Sequence, residues 1–207
     1  MYVPKLNRIE NQDEIYDFIK NNGFATLVSV NTEGLPLATH IPITLEFLPK
    51  GEPILRGHVS RANPHAALLV ENPQALAIFQ GAHAYISSSW YTHESVSTWN
   101  YSAVHVYGKV RILTDEELWT SIAHLTAKYE SHVEHPKLVE NMSPDMIKKE
   151  MRGILGFEIS LDEVHAKAKL SQNRKDVDYQ RVVDALEKTD DGQAHEVARQ
   201  MKKLRPL

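Results

Sequence analysis

The sequence predicts an α+β fold built around an antiparallel β-barrel, on three observations. Short runs with strand-type alternation recur through most of the chain. Turn residues separate them, and helix-period segments are inserted singly between them. A regular strand–helix alternation would instead have indicated a parallel βαβ sheet. Helical periodicity then takes over at the C-terminal end, as an extension of the barrel.

The elements follow in order. Asn11 with Glu14 has capping-box spacing, and Ile15, Phe18 and Ile19 follow at helical spacing before a stop at Gly23. Residues 24–30 are a β-rich run, residues 31–34 (Asn-Thr-Glu-Gly) a turn, and residues 35–47 a second strand interrupted by Pro36 and Pro42. After a turn over residues 48–52 comes a third strand over 53–58. A short helix over 64–70 ends near Asn72-Pro73, and residues 75–80 form the next strand. Residues 101–113 alternate, with Val104, Val106, Val110 and Ile112 on one face. Thr114 and Glu117 cap a helix bearing Leu118, Ile122, Leu125 and Tyr129, and Ser143-Pro144 opens another that stops near Gly153. Leu155, Phe157, Ile159 and Leu161 alternate as a further strand. Tyr179, Val182, Val183 and Leu186 return to helical spacing, Asp190-Asp191-Gly192 breaks it, and Ala194, Val197, Ala198, Met201 and Leu204 resume it. The expected division is a barrel domain over residues 1–174 and a helical extension over 175–207.

Composition narrows the function classes. At 207 residues, 42% hydrophobic and 24% charged, the chain is one large domain or a domain with an appendage. A net charge of −4 argues against a protein coated in basic surface for nucleic acid, although residues 165–207 carry ten Lys/Arg against seven Asp/Glu. The absence of cysteine excludes disulfides, thiol catalysis and thiolate metal sites, and fits a reducing cytosol. No run approaches ~18 apolar residues and the N-terminus has no apolar signal core, so a soluble cytoplasmic protein without a membrane partner is expected.

Residues 54–65 carry the strongest chemical signal. A strand runs into a helix at Asn63-Pro64, a good N-cap followed by a good first helical residue. A helix start offers N–H donors and the positive end of the macrodipole, and Ser60 and Arg61 add a hydroxyl and a planar fork of donors, which together suit a phosphate. The same residues also fit a strand end whose Arg56 and Arg61 make surface ion pairs. A second signal is aromatic: residues 83–91 and 96–101 hold two of the three tryptophans, in what reads as a loop able to wall a cofactor or to cap the barrel. Residues 169–174, Lys-Leu-Ser-Gln-Asn-Arg, offer amide and cationic donors, or a plain turn into a helix. The eleven histidines include no zinc-type spacing, and no acid, base or nucleophile stands out as catalytic.

Taken in order, Arg56 to Pro64, Tyr85-Ile86-Ser87 to Trp90-Tyr91, Thr98-Trp99-Asn100-Tyr101, Val104-His105, Gly108 and Lys169 to Arg174 resemble the PaiB family of FMN-binding negative transcriptional regulators. The resemblance spans essentially the whole chain. It implies a split β-barrel of the FMN-binding type, a homodimer with flavin at the subunit interface, and negative control of degradative (protease) enzyme production and sporulation. It places the flavin phosphate at Ser60 and Arg61, with Arg56, His58 and Asn63 around it and the backbone near His40 to Pro42 beside the ring. Trp90, Trp99, Asn100, Lys169, Gln172 and Asn173 would complete the cofactor site, the tryptophan loops closing it. Ser88 and Ser97 stand where the family often carries proline, which loosens both loops. An FMN-dependent oxidoreductase or flavin reductase is the alternative class, and a flavin-free interaction module a third. DNA, if contacted, has one candidate surface, the mildly basic helical tail after Arg174.

Overall fold

The computed structural model describes residues 1–206. Its strands are β1 (Phe24–Val30), β2 (Pro36–Phe47), β3 (Pro53–Ser60), β4 (Gln74–Ile86), β5 (Thr98–Ile112), β6 (Ile154–Ser160) and β7 (Glu163–Lys169). Its α-helices are α1 (Gln12–Asn21), α2 (Pro64–Glu71), α3 (Asp115–Glu130), α4 (Pro144–Met151), α5 (Asp176–Glu187) and α6 (Gly192–Leu204). The strands hydrogen-bond in the order β4-β1-β2-β3-β6-β5-β7, and β4 pairs additionally with β5. This is the α+β arrangement expected, with helices inserted singly and two more at the end. The chain divides into a mid-chain unit, residues 19–79 and 106–164, and a terminal unit, residues 1–18, 80–105 and 165 onward.

In the mid-chain unit, Asn31 makes the β1–β2 turn by accepting with Oδ1 from the N–H groups of Glu33 (3.0 Å) and Leu35 (2.8 Å), and Gly34 supplies the positive φ. Contrary to the expected interruption, β2 runs unbroken through Pro42. Pro42 lies opposite Phe24 at the end of the β1 pairing, and pairing with β3 begins only at Ile43. The missing N–H therefore falls where β2 changes partner. Strand β3 pairs with β6 and β6 with β5 in a register that sets Glu158 opposite both Arg56 and Arg111. Thr114 and Glu117 form the anticipated capping box of α3. Gly108 admits no side chain, since a Cβ there would lie 1.7 Å from the Ser160 carbonyl oxygen.

In the terminal unit, the second half of β4 turns Ala82, Ala84 and Ile86 inward against α5 and α6, whose Tyr179, Val182, Leu186, Val197 and Met201 are buried. The Tyr179 hydroxyl donates to the Met201 carbonyl at 2.9 Å. Two sequence expectations change here. The aromatic segments are partly strand, since β4 reaches Ile86 and β5 starts at Thr98, while residues 87–97 between them form the connection. Strand β7 was not anticipated, because its Ala166 and Ala168 give a weak alternation signal.

Candidate functional site

The β3–α2 junction brings Arg56, His58, Ser60, Arg61 and Asn63 onto one short segment, but the backbone donors anticipated there are already used. The Ser60 hydroxyl accepts from the Ala62 N–H (3.2 Å), the Asn63 side chain from the His65 N–H (3.0 Å), and the Ser60 and Asn63 carbonyls from the N–H groups of Asn63 and Ala66 (both 2.9 Å). The Arg61 N–H donates to the Gly153 carbonyl at 2.8 Å, and Pro64 has none to give. A phosphate here must therefore be held by side chains. The physical reason is the N-cap itself: Asn63 saturates the helix start it creates.

The two arginines differ. Arg56 donates to Glu46 (3.1 Å) and to Glu158 (3.3 Å) with its side chain only 11% exposed, and Glu158 also accepts from Arg111 (2.7 Å). Arg111 in turn grips Glu117, and this hydrogen bonding holds the Glu117 carboxyl at about 2. Arg56 is thus bound into a charge network inside the sheet. Arg61 is exposed and has no ion-pair partner among the described residues, which leaves its guanidinium and the donating hydrogen of Ser60 as the available groups. His58 is kept below its ordinary pKa by burial, as is His65, which sits on α2 bonded to Thr39 at 2.9 Å. Arg61 also lines a cavity of about 790 Å³ shared with α3 and α4.

In the terminal unit the remaining candidates are gathered but mostly occupied. Asn100 is fully buried and exchanges hydrogen bonds with Ser171 (3.0 and 3.2 Å). Gln172 closes its own turn by accepting from the Leu170 N–H and donating to the Ala168 carbonyl. Lys169 donates to the Thr98 hydroxyl and the Trp99 carbonyl, and Asn173 is exposed. Trp90 packs on the α5–α6 core while its carbonyl accepts from Arg181 at 2.7 Å. Trp99 lies in β5, not in a closing loop, half-exposed beside the rings of His83 and Tyr85. The serines at the family's proline positions meet: the Ser88 N–H donates to Ser97 Oγ at 3.2 Å, tying together the loops their substitution was expected to loosen.

One pair escaped sequence reasoning. Buried Asp178 on α5 accepts from the Thr92 N–H (2.7 Å) and hydroxyl (2.9 Å) and faces His93 Nδ1 at 3.1 Å. These bonds, the Thr92 N–H foremost, hold the Asp178 carboxyl below its usual range. The pairing fixes the imidazole with Nε2 as its free nitrogen. Eighty-five residues of separation between the partners left no local pattern that could have found them.

Residues 1–163 match the family model described as "Putative FMN-binding domain". The chain belongs to this FMN-binding family. It is 40% identical over 202 residues to the Protease synthase and sporulation protein PAI 2 of Bacillus subtilis, covering 97% of this chain and 96% of that one. It is 27% identical to the uncharacterized protein AN0679 of Emericella nidulans, over 90% of each. Among solved structures, the FAD and heme binding protein of Mycobacterium smegmatis superposes with a TM-score of 0.59 at 17% identity, covering 79% of this chain and 73% of that one. The flavocytochrome Anf3 of Azotobacter vinelandii gives 0.58 at 15%, covering 86% and 78%. These two likenesses show the fold. FMN is the cofactor the family assigns, and the free guanidinium of Arg61 beside a hydroxyl donor fits its phosphate. No helix among the described residues is long and apolar enough to cross a membrane.

Proposed function

We propose that this protein is an FMN-binding regulator that restrains degradative-enzyme production and sporulation. The observation that carries the reading is identity of 40% across nearly the full length of both chains with a protein named for protease synthesis and sporulation. Ser60 and Arg61 would hold the phosphate, and bound FMN would supply electron- and hydride-transfer chemistry. Two measurements test the two parts separately. The purified protein should show flavin absorption after addition of FMN, and its absence overturns the cofactor assignment. A strain lacking the gene should secrete more protease, and an unchanged level overturns the regulatory role.

We read the working assembly as a homodimer. Thr26 stands opposite both His40 and Ile78, and Val28 opposite both Ala38 and Leu76, so these residues share one face of β4-β1-β2, continued by Phe24 and Val30. That face carries no Asp, Glu, Lys or Arg, and Phe24 is 67% exposed on it. A second copy presenting the same face would cover it symmetrically. Val28→Glu should yield a monomer by light scattering, and a monomeric wild type would rule the dimer out. The oxidoreductase reading keeps one observation in its favour, the pairing of half-exposed His93 with buried Asp178, since an imidazole oriented by a carboxylate is a common proton-transfer group. Consumption of NAD(P)H in the presence of FMN, reduced in His93→Gln, would support it.

A further inference from the structure

We propose that the cavity beside Arg61 binds a phosphate monoester carrying a flat ring, the mononucleotide class, with Lys148 and Arg152 as phosphate ligands. The cavity, about 790 Å³, lies in the mid-chain unit between the β3–α2 junction, the first turns of α3 and the last turn of α4. That volume is in the range of small-molecule sites. Arg61, Lys148 and Arg152 all line it, and none has a carboxylate partner among the described residues. In the same unit Arg56 and Arg111 are tied to carboxylates, whereas these three side chains share one cavity with their charges unpaired. Three cations around one space favour an anion, and two guanidiniums suit the oxygens of a phosphate.

The remaining wall defines the rest of the ligand. Half-buried Trp119 lines the cavity and supplies the aromatic ring against which a flat ligand would stack. Asp115 and Glu116, in the first turn of α3, line the same cavity and can accept hydrogen bonds from ligand hydroxyl or N–H groups. They also leave the lining only weakly positive, which disfavours pyrophosphates against a single phosphate. Since the amides at the head of α2 are consumed, recognition through these side chains is the route the structure leaves open.

The inference shares Arg61 with the FMN reading but does not require the ligand to be a flavin. The test is calorimetric titration of the full chain, freed of bound ligand, with FMN, riboflavin, AMP, adenosine and inorganic phosphate. Wild type, Arg61→Ala, the double variant Lys148→Ala/Arg152→Ala and Trp119→Phe are compared. The double variant alters exposed side chains, and an unchanged melting temperature verifies its fold. At least about tenfold weaker binding of FMN or AMP by the double variant, with phosphate-free analogues bound poorly throughout, supports the proposal. Weakening of FMN identifies a flavin occupant, and weakening of AMP alone identifies a separate nucleotide. If FMN binding falls in Arg61→Ala but is unchanged in the double variant, and AMP does not bind wild type, the cavity proposal is overturned while the FMN reading stands. Binding of AMP that depends on Lys148 and Arg152, without any flavin binding, would reverse that outcome.

Discussion

The network around Glu158 and the cavity beside Arg61 lie in one unit and draw on the same residue types, yet they handle charge in opposite ways. In the network each arginine meets two carboxylates, and the group is threaded through β2, β3, β5, β6 and α3. In the cavity three cations line one space, and none makes an ion pair among the described residues. Buried charges need partners built into the fold, whereas exposed ones can wait for a ligand. Pairing thus separates buried Arg56 and half-exposed Arg111, both tied into the sheet, from exposed and unpaired Arg61.

Glu158→Gln should have the largest effect. It strips Arg56, a guanidinium 11% exposed, of one of its two carboxylates and should cost about 3 kcal/mol in urea unfolding. A loss below about 1 kcal/mol would mean that the network is not structural. Arg61→Ala should do the converse, leaving stability unchanged and weakening FMN binding by roughly 1.5–3 kcal/mol in a fluorescence-quenching titration. An unaltered dissociation constant there would remove Arg61 from the site.

Ser97→Ala removes the acceptor of the Ser88 N–H and should cost about 1 kcal/mol. It should also speed proteolysis within residues 87–97, and equal cleavage rates would deny the tie. Glu117, held at about 2 chiefly by its hydrogen bonds with Arg111, has a folded pKa below its unfolded value. Its contribution is therefore complete above pH ~4.5 and is lost as pH falls toward 2. Because Arg111 is half-exposed, the effect should stay below about 1 kcal/mol. Glu117→Gln should flatten that part of the stability–pH curve, and an unchanged slope would deny the linkage.

The structure also changes how the tail can be tested. Deleting α5 and α6 to ask about DNA would expose Ala82, Ala84 and Ile86 and disturb the terminal unit, so charge reversal at exposed Lys175 and Lys203 is the cleaner probe. Unchanged DNA binding in that variant would exclude this surface.

Much of the fold was legible because its signals are local. The capping box at Thr114, the Asn31 turn, the Asn63-Pro64 helix start and the break at Asp190-Asp191-Gly192 each act within a few residues, and each appears where the sequence places it. Strand β7 was not legible, since alternating alanines carry little apolar contrast. The candidate site was legible as a place but not as an inventory of free groups. Asn100 and Gln172 have amide groups that suit a cofactor, and only the fold reveals that Ser171 and Ala168 already accept from their donors while the Leu170 N–H fills the Gln172 acceptor.

Local chain chemistry sets the order and kind of most elements, the caps that start them and the segment on which a phosphate could sit. Those depend on backbone preference and spacing over a single turn of chain. Tertiary structure decided which arginine is free. Arg56 lies 102 residues from Glu158, and Arg61 shares its cavity with residues from α3 and α4. Charge pairing acts through space, and no short-range pattern encodes which distant carboxylate will reach a cation.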